Sequence, residues 1–307
     1  MKLYSQEAEF YGAASLVFKK NKRPCVFKAT WMHGMAPTFR DNPHSDVLLH
    51  YDEKDLPLHL VNNQKTVNML SNEGITSIAV GMPYIYTDAF SNKKRDNVIH
   101  RRMYMPPHSI AGVGQADEYY SWKRILEKYN CDSICLASKD YENVASQEID
   151  FGEVKILKGA HAADETSLAR ISEMFFSTDE MLTNVSGSHL PYAAASGVRV
   201  KIIDEIHEFY DSRMRNNYAS KIVNSAPKKN RKSFTKHLQN NRANEIVEVW
   251  GKPGMTVIQE YSEYLLGIVH KRKADEIMRY LTPNNELQKL NLGSRIFFNK
   301  LGRRLGL

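Results

Sequence analysis

One stretch of this 307-residue chain decides its fold class: Thr183-Asn184-Val185-Ser186-Gly187-Ser188-His189-Leu190-Pro191-Tyr192-Ala193-Ala194-Ala195-Ser196-Gly197. It joins an apolar strand, 180–185, to a helix of small residues, and a second apolar strand follows at 199–203. A helix start carries unpaired N–H groups and a partial positive charge, to which hydroxyl groups add further donors. The stretch therefore predicts an anion site at the carboxyl end of a sheet strand, formed by Ser186, Gly187, Ser188 and His189.

Strand-like and helix-like segments alternate on the amino-terminal side of this stretch. The predicted strands cover 24–31, 47–50, 58–61, 75–80, 98–105, 133–137 and 154–157, and the predicted helices cover 4–20, 63–72, 117–129 and 165–176. Such alternation favours parallel sheets that are covered by helices on both faces.

Two changes of pattern predict how the chain is divided. A polar, basic segment at 91–97 is predicted to link two α/β units. Beyond residue 205 the pattern becomes mainly helical, with helices predicted at 256–272 and 274–281. We therefore expect an amino-terminal α/β domain at 1–96, a second α/β domain at 97–205 and a helical region at 206–307.

Composition limits the class of protein. Hydrophobic residues make up 42% of the chain and charged residues 25%, as in ordinary folded proteins. No apolar run approaches the roughly 20 residues that cross a bilayer, and the first ten residues lack the apolar core of a secretory signal. We therefore expect a cytoplasmic protein, and its net charge of +7 predicts an anionic partner.

Two further features have structural interpretations. Cys131 and Cys135 are predicted to be small buried core residues rather than ligands of a metal. The last segment, 294–307, places Phe297, Leu301 and Leu305 on one helical face, with basic residues mostly elsewhere. This segment is either a helix that lies on a membrane surface or a terminal helix that packs on the body of the protein.

Residues suited to phosphate chemistry follow several predicted strands. His33 follows the strand 24–31, His108 and Ser109 follow the strand 98–105, and the cluster 186–189 follows the strand 180–185. A histidine can accept a proton from a hydroxyl nucleophile, while serine hydroxyls and N–H groups stabilise charge on a departing phosphate. The alternatives are that His33 only closes its strand and that Ser186 and Ser188 only cap a helix.

Three segments together resemble a known family. Trp31-Met32-His33-Gly34, Gly81-Met82-Pro83 and Met181-Leu182-Thr183-Asn184-Val185-Ser186-Gly187-Ser188, the last followed by Ala193 and Gly197, resemble bacterial glycosyltransferases of the GT-B architecture. The layout is similar to that of capsule and teichoic-acid polymer transferases and of bacterial sialyl- and Kdo-transferases. The resemblance implies two Rossmann-like α/β domains that face a cleft, with a helical carboxyl-terminal extension.

The same resemblance implies roles for individual residues. His33 corresponds to the base that activates the acceptor, although related enzymes often use a carboxylate, so Asp41 and Asp46 are rivals for this role. His108 and Ser109, together with the cluster 186–189, correspond to the donor phosphate and nucleotide site. The chain departs from the family where proline precedes His108 instead of following it, and where the first domain is short.

These inferences lead to a functional hypothesis with two alternatives. We expect an inverting glycosyltransferase that moves a sugar from a nucleotide donor to a glycan or lipid-linked glycan of the bacterial surface. If the basic carboxyl terminus binds lipid, the enzyme would work at the inner face of the membrane. No Asp-X-Asp motif ends a strand, so we expect no metal and no cofactor. The alternatives are a nucleotide-sugar epimerase and a non-catalytic protein that binds a polyanion or nucleic acid through the basic segment 228–232. Nucleic acid is not an expected partner, because few aromatic residues accompany that basic segment.

Overall fold

The computed structural model describes residues 7–19, 24, 27–32, 58–72, 74–92, 95, 97–106, 116–184, 187–203 and 259–282. These residues form two parallel β-sheets with helices between the strands. The predicted α/β fold class is thus confirmed. The predicted division at 1–96, 97–205 and 206–307 stays a prediction, although the two sheets lie in the first two of these ranges.

The first sheet contains three described strands in the order β1-β2-β3. The strand β1 covers Thr30–Trp31, β2 covers His59–Val61 and β3 covers Ser77–Ala79. Both pairs are parallel, with Trp31 opposite Leu60 and Leu60 opposite Ile78. Six of these eight strand residues are buried, as expected for a parallel sheet covered on both faces.

The second sheet contains five described strands in the order β6-β5-β4-β7-β8, all parallel. These strands are β4 (His100–Tyr104), β5 (Ser133–Leu136), β6 (Lys155–Lys158), β7 (Thr178–Thr183) and β8 (Arg199–Ile202). From β4 the chain runs through β5 to β6 on one side of the sheet, and then through β7 to β8 on the other side. This order is that of the doubly wound α/β fold.

Nine described α-helices connect and flank the strands. They are α1 (Ala13–Phe18), α2 (Gln64–Asn72), α3 (Asp88–Asn92), α4 (Ala116–Tyr129), α5 (Ser138–Ser146), α6 (Ser167–Phe176), α7 (His189–Ala195), α8 (Gln259–Leu266) and α9 (Ala274–Leu281). Short 3₁₀ helices occur at Glu7–Gly12, Pro83–Tyr86 and Ile268–His270. The helix α4 buries Trp122, Ile125 and Leu126, whose i, i+3, i+4 spacing forms one apolar face.

Two apolar cores lie on opposite faces of the second sheet. On one face, Tyr104, Ile134 and Leu182 pack in one cluster with the apolar residues of α4. On the other face, Met103 and Met181 belong to a larger cluster that includes α6, α7 and the residues of the first sheet. The second sheet is therefore the middle layer of a three-layer unit, and one of its outer layers also supports the first sheet.

The contact between the two units is built around the 3₁₀ helix Pro83–Tyr86. The ring of Tyr84 stacks on that of Tyr192 in α7, with centroids 4.2 Å apart, and its hydroxyl lies 2.7 Å from Ser196 Oγ. Beside it, Thr87 Oγ1 lies 2.7 Å from Ser172 Oγ in α6. Because these buried polar groups are paired, their hydrogen bonds offset the cost of desolvation and fix the orientation of the contact.

The structure differs from the predicted secondary structure at several elements. The predicted helix 4–20 is a 3₁₀ helix and an α-helix separated by a kink, because Tyr11 and Gly12 have positive φ values of 58° and 82°. In the predicted strand 24–31, the described strand covers Thr30–Trp31, with an isolated bridge at Phe27. The predicted linker 91–97 begins inside α3, and Arg95 donates to the carbonyls of Gly197 and Thr178. The predicted strand 47–50 lies outside the described residues.

Candidate functional site

The direction of the chain reverses between β4 and β7 in the second sheet. From β4 the chain passes through α4 to β5 on one side, and from β7 it passes through α7 to β8 on the other side. The strands β4 and β7 are direct neighbours, with Tyr104 opposite Leu182. Connections that leave adjacent strands in opposite directions open a crevice at the carboxyl edge, which is where doubly wound proteins bind ligands.

Two side-chain contacts hold the ends of the segment that connects β7 to α7. Tyr104, the last residue of β4, donates its hydroxyl hydrogen to Asn184 Oδ1 at 3.3 Å, and both residues are buried. At the other end of the connection, His189 Nε2 lies 3.1 Å from Thr183 Oγ1. The first contact joins the two strands that flank the crevice, and the second joins the end of β7 to the start of α7.

Gly187 and Ser188 lie directly against His189. A Cβ atom added at Gly187 would lie 3.0 Å from His189 Nδ1, so the ring packs beneath this glycine. Ser188 has helical dihedral angles of −61° and −21° and makes no side-chain capping bond within the described residues. A capping serine normally adopts an extended conformation. The interpretation of Ser188 as an ordinary helix cap is therefore not supported.

The start of α5 adds two residues that the sequence analysis missed. This helix follows β5, the neighbour of β4, so its first turn lies at the same carboxyl edge as the crevice. Ser138 is 3% exposed, and its Oγ has no hydrogen-bond partner among the described residues, while Asp140 is also buried. A serine followed by an acidic residue directly after a strand is a helix-start signal that could have revealed this turn.

A buried carboxylate stabilises the sheet away from its carboxyl edge. Glu180 in β7 is 1% exposed and pairs with Arg102 of β4 and with Lys201 of β8, the latter at 2.8 Å. Burial alone would raise the pKa of Glu180, but the bonds from Lys201 and Arg102 outweigh it and hold the pKa below its ordinary value. The three charges join three adjacent strands on one face of the sheet.

The two cysteines of the second unit are buried and unreactive. Burial raises the pKa values of the Cys131 and Cys135 thiols to about 12, so neither is a thiolate near neutral pH. This confirms the prediction that both are core residues. The described residues contain no group of three or more histidine, cysteine, aspartate or glutamate side chains that could hold a metal ion.

The carboxyl edge of the first sheet is covered by the carboxyl-terminal helices. Asn62, which follows β2, donates its side-chain N–H to the carbonyl of Leu265 at 2.7 Å, and Met82 N donates to the carbonyl of Leu266 at 2.9 Å. The helix α8 also packs along α7. It therefore connects the edge of the first sheet with the helix that follows the crevice of the second.

The predicted site residues are only partly within the described structure. Gly187, Ser188 and His189 are described, and they lie together at the β4–β7 crevice. The others, His33, Asp41, Asp46, His108, Ser109 and Ser186, lie outside the described residues. In the sequence His33 follows β1, His108 and Ser109 follow β4, and Ser186 follows β7. The roles of all these residues stay predictions.

Comparisons with known proteins give similarity at the level of solved structures. No family model matches the sequence, and no curated protein matches it. The chain is similar to the Staphylococcus aureus protein MnaA in its co-structure with UDP, with 12% identity, a TM-score of 0.37 and coverage of 81% of this chain and 67% of that one. It is also similar to the UDP-GlcNAc 2-epimerase from Neisseria meningitidis bound to UDP-GlcNAc, with 10% identity, a TM-score of 0.36 and coverage of 92% and 72%.

TM-scores of this size do not identify a common function. The function is therefore inferred from the crevice of the second sheet and from the residues around it. Within the part of the chain that the structure describes, no helix is long and apolar enough to span a membrane.

Proposed function

We propose that this chain is a nucleotide-sugar-dependent glycosyltransferase of the GT-B type, which binds its donor at the β4–β7 crevice and works without a metal ion. One observation carries the proposal. The two clusters that the sequence analysis assigned to the donor, 108–109 and 186–189, follow the two strands that flank the crevice. The strands were assigned from hydrophobic pattern alone, so their adjacency supports the assignment independently.

The chemistry of the site agrees with binding of a nucleotide diphosphate or monophosphate. The start of α5, with Ser138 and Asp140, lies one strand from β4 at the same edge. An acidic side chain at this place in doubly wound folds binds ribose hydroxyls. In the proposed complex the nucleoside lies over α5, and the phosphate lies beside Gly187 and Ser188.

The proposed reaction is a single displacement at the sugar. His33 accepts the proton of an acceptor hydroxyl, whose oxygen attacks the anomeric carbon while the bond to the nucleotide phosphate breaks. His108, Ser109, Ser186 and Ser188 stabilise the negative charge of the leaving phosphate. Asp41 is the rival base, and the acceptor in this proposal is a glycan or lipid-linked glycan of the bacterial surface.

Donor binding tests the proposal directly. The full chain is titrated with CMP-, UDP-, GDP- and CDP-linked sugars, with and without EDTA, and we expect one nucleotide class to bind and to keep its affinity in EDTA. Ser188→Ala is expected to weaken binding roughly threefold to tenfold, the effect of one hydrogen bond. The matched control is Ser146→Ala, at the far end of α5. Failure of all four donor classes to bind would refute the proposal.

Product analysis separates transfer from the alternatives. An epimerised donor that forms without any acceptor would identify an epimerase, whereas a transferred sugar requires the acceptor. Binding to a polyanion that weakens steeply with salt, with no response to nucleotide sugars, would instead favour a polyanion-binding protein. His33→Ala is expected to lower kcat by roughly 100-fold or more while donor affinity is kept, as for loss of a general base. If Asp41→Asn has this effect instead, the rival base is the correct one.

A further inference from the structure

The turn between α8 and α9 holds an apolar side chain out in the solvent. Val269 lies in the 3₁₀ helix Ile268–His270 and is 86% exposed, the largest exposure among the large apolar residues that the structure describes. Its neighbour Ile268 instead packs against the larger of the two apolar clusters. Since one exposed apolar residue is ordinary on a protein surface, Val269 indicates a partner only together with its surroundings.

The turn is fixed to the first unit on both sides. Before the turn, α8 is bonded to the carboxyl edge of the first sheet. After the turn, Arg272 N donates to the Tyr86 hydroxyl oxygen at 2.8 Å. The Lys271 ammonium lies 5.4 Å from the centre of the Tyr86 ring and donates to Ser91 Oγ in α3 at 3.0 Å. Because both ends of the turn are held, Val269 stays at its exposed tip.

Basic side chains surround this tip. Three consecutive basic residues begin two positions after Val269, and all of them are exposed: Lys271, Arg272 and Lys273. A fourth, Lys19, pairs with Asp88 of α3 at 3.0 Å. Asp88 lies one helical turn before Ser91, the acceptor of Lys271, so Lys19 and Lys271 lie along the same face of α3. The tip is therefore the apolar part of a basic surface.

The nearby carboxylates do not neutralise this basic run. The acidic residues of the two helices are Glu260, Glu263, Asp275 and Glu276. Asp275 lies 3.7 Å from Arg279, and Glu276 accepts from the Tyr280 hydroxyl at 2.8 Å. Among the described residues, no carboxylate makes an ion pair with Arg272 or Lys273. Their positive charge therefore faces the solvent.

We infer that this turn, with Val269 at its tip and Lys271, Arg272 and Lys273 beside it, docks on an anionic phospholipid surface. Basic side chains are attracted to negative headgroups, and an aliphatic side chain held at the tip enters the boundary of the acyl chains. A soluble polyanion would pair with the cations but would offer no apolar region to Val269. The combination of charge and exposed valine therefore favours a bilayer.

The helix α8 places this surface beside the first sheet. The carbonyls of Leu265 and Leu266 accept from Asn62 and Met82, so the docking turn begins next to the carboxyl edge of that sheet. In the proposed function the first unit takes the acceptor, and a bilayer at the turn is the source of a lipid-linked acceptor. This use of the surface rests on the proposed function, whereas docking itself requires no donor.

Vesicle binding tests the inference with the full chain and no donor. Cosedimentation is measured with vesicles of phosphatidylcholine alone and of equal parts phosphatidylcholine and phosphatidylglycerol. We expect binding to the mixed vesicles only, and weaker binding as the salt concentration rises. Arg272→Gln/Lys273→Gln is expected to bind roughly tenfold more weakly or worse. The matched control is Lys123→Gln/Arg124→Gln, an exposed pair on α4 with the same change of net charge, which is expected to bind like the wild type.

Two substitutions of Val269 test the apolar tip. Val269→Ser is expected to weaken vesicle binding roughly threefold to tenfold, whereas Val98→Ser, at a valine that is 52% exposed in the second unit, is expected to have no effect. Val269→Trp is expected to bind more tightly by a similar factor, with a blue shift of its fluorescence on the vesicles. Thermal unfolding of each variant checks that these exposed changes leave the fold intact.

Three results would overturn the inference. The first is absence of binding to the mixed vesicles, and the second is wild-type affinity in Arg272→Gln/Lys273→Gln, which would assign the membrane contact to another segment. The third is unchanged vesicle binding in both Val269 variants together with equally tight binding to heparin, which would identify a polyanion site. Donor titration without vesicles tests the proposed function separately. Donor binding without vesicle binding refutes docking alone, and the reverse refutes the transferase alone.

Discussion

The residues at the carboxyl edges of the two parallel sheets bond to different parts of the chain. At the first sheet, residues after β2 and β3 bond to carbonyls of α8, so the edge is closed by a distant part of the same chain. At the second sheet, the described contacts at the β4–β7 crevice run between the two strands and within the β7 connection. Among the described residues, the first edge is therefore held by a distant helix, while the second is held by its own strands and connection.

The strongest test of this contrast is Gly267→Ala, at the turn after α8. Gly267 has a φ of +69°, and an added Cβ would lie 1.7 Å from the carbonyl oxygen of Asn62. We expect the free energy of unfolding, measured with urea, to fall by about 3 kcal/mol or more, from backbone strain and overpacking together. The first edge would have to separate from α8 to admit the methyl group.

Gly152→Ala is the matched control for this substitution. Gly152 has a similar φ of +68°, but nothing lies within 4 Å of an added Cβ. We expect Gly152→Ala to lower the free energy of unfolding by about 1 kcal/mol, because alanine is strained in the left-handed backbone conformation but meets no neighbour there. Equal losses in the two variants would show that α8 does not press on the first edge, and the contrast between the edges would fail.

The next effect is expected at Glu180, which stabilises the second sheet away from its ligand edge. Glu180→Gln leaves Arg102 and Lys201 without their shared carboxylate, and we expect a loss of about 2–3 kcal/mol at neutral pH. The neighbouring Asp179→Asn is the control, because Asp179 pairs with Arg199 at the surface and is expected to change stability little.

The pH dependence identifies the charge of Glu180 as the cause. Because its pKa is lower in the folded state than in the unfolded state, the stabilisation is present above the unfolded pKa near about 4.3 and is lost as the pH falls through the folded pKa. Urea unfolding below pH 5 is therefore expected to be less pH-dependent in Glu180→Gln than in the wild type. Parallel curves would contradict this assignment. Nucleotide binding at neutral pH should survive the substitution, since Glu180 lies away from the crevice.

His100, at the start of β4, is expected to contribute less to the free energy of unfolding than Glu180. It stabilises the fold in its neutral form, whereas Glu180 does so in its charged form. Burial lowers the pKa of His100, Lys155 lowers it further, and Asp132 opposes them in part. The unfolded chain then binds a proton more readily, so stability is lost as the pH falls below the unfolded value near about 6.5. His100→Gln should make the free energy of unfolding less dependent on pH between pH 7 and pH 5 than it is in the wild type. An unchanged slope in His100→Gln would rule out this effect.

The sequence predicted elements better than it predicted the contacts between them. The strands of the second sheet fall inside or beside the predicted ranges, although of these five strands only β5 is buried at every residue. The helix α5 was missed because it is short and polar, with only Val144 among its apolar residues fully buried. The pairing of strands was left open, so the position of the crevice required the structure.

The candidate site shows the same limit. Gly187, Ser188 and His189 were recognised from local composition, but the 3.1 Å contact between His189 Nε2 and Thr183 Oγ1 is not revealed by periodicity. The closure of the first edge is still less visible, because Asn62 and Leu265 are separated by 203 residues. Contacts this distant in sequence follow from packing rather than from local pattern.

The smallest expected effect on stability provides the sharpest comparison of the two sheets. Ser138, at the crevice edge of the second sheet, and Ser77, in β3 of the first sheet, each have an Oγ without a hydrogen-bond partner among the described residues. Removing such a hydroxyl should leave the free energy of unfolding nearly unchanged or slightly higher in both Ser138→Ala and Ser77→Ala, since no bond is lost.

The two serine variants are then expected to differ only toward ligands. If a bound nucleotide supplies the partner of Ser138, Ser138→Ala should weaken donor binding roughly threefold to tenfold, whereas Ser77→Ala should bind like the wild type. Titration of both variants with the donor that binds the wild type measures this difference. Equal donor affinities in the two variants would mean that the nucleotide does not reach α5. The proposed site would then include only the segment between β7 and α7. A loss in Ser77→Ala alone would place the donor at the first sheet instead.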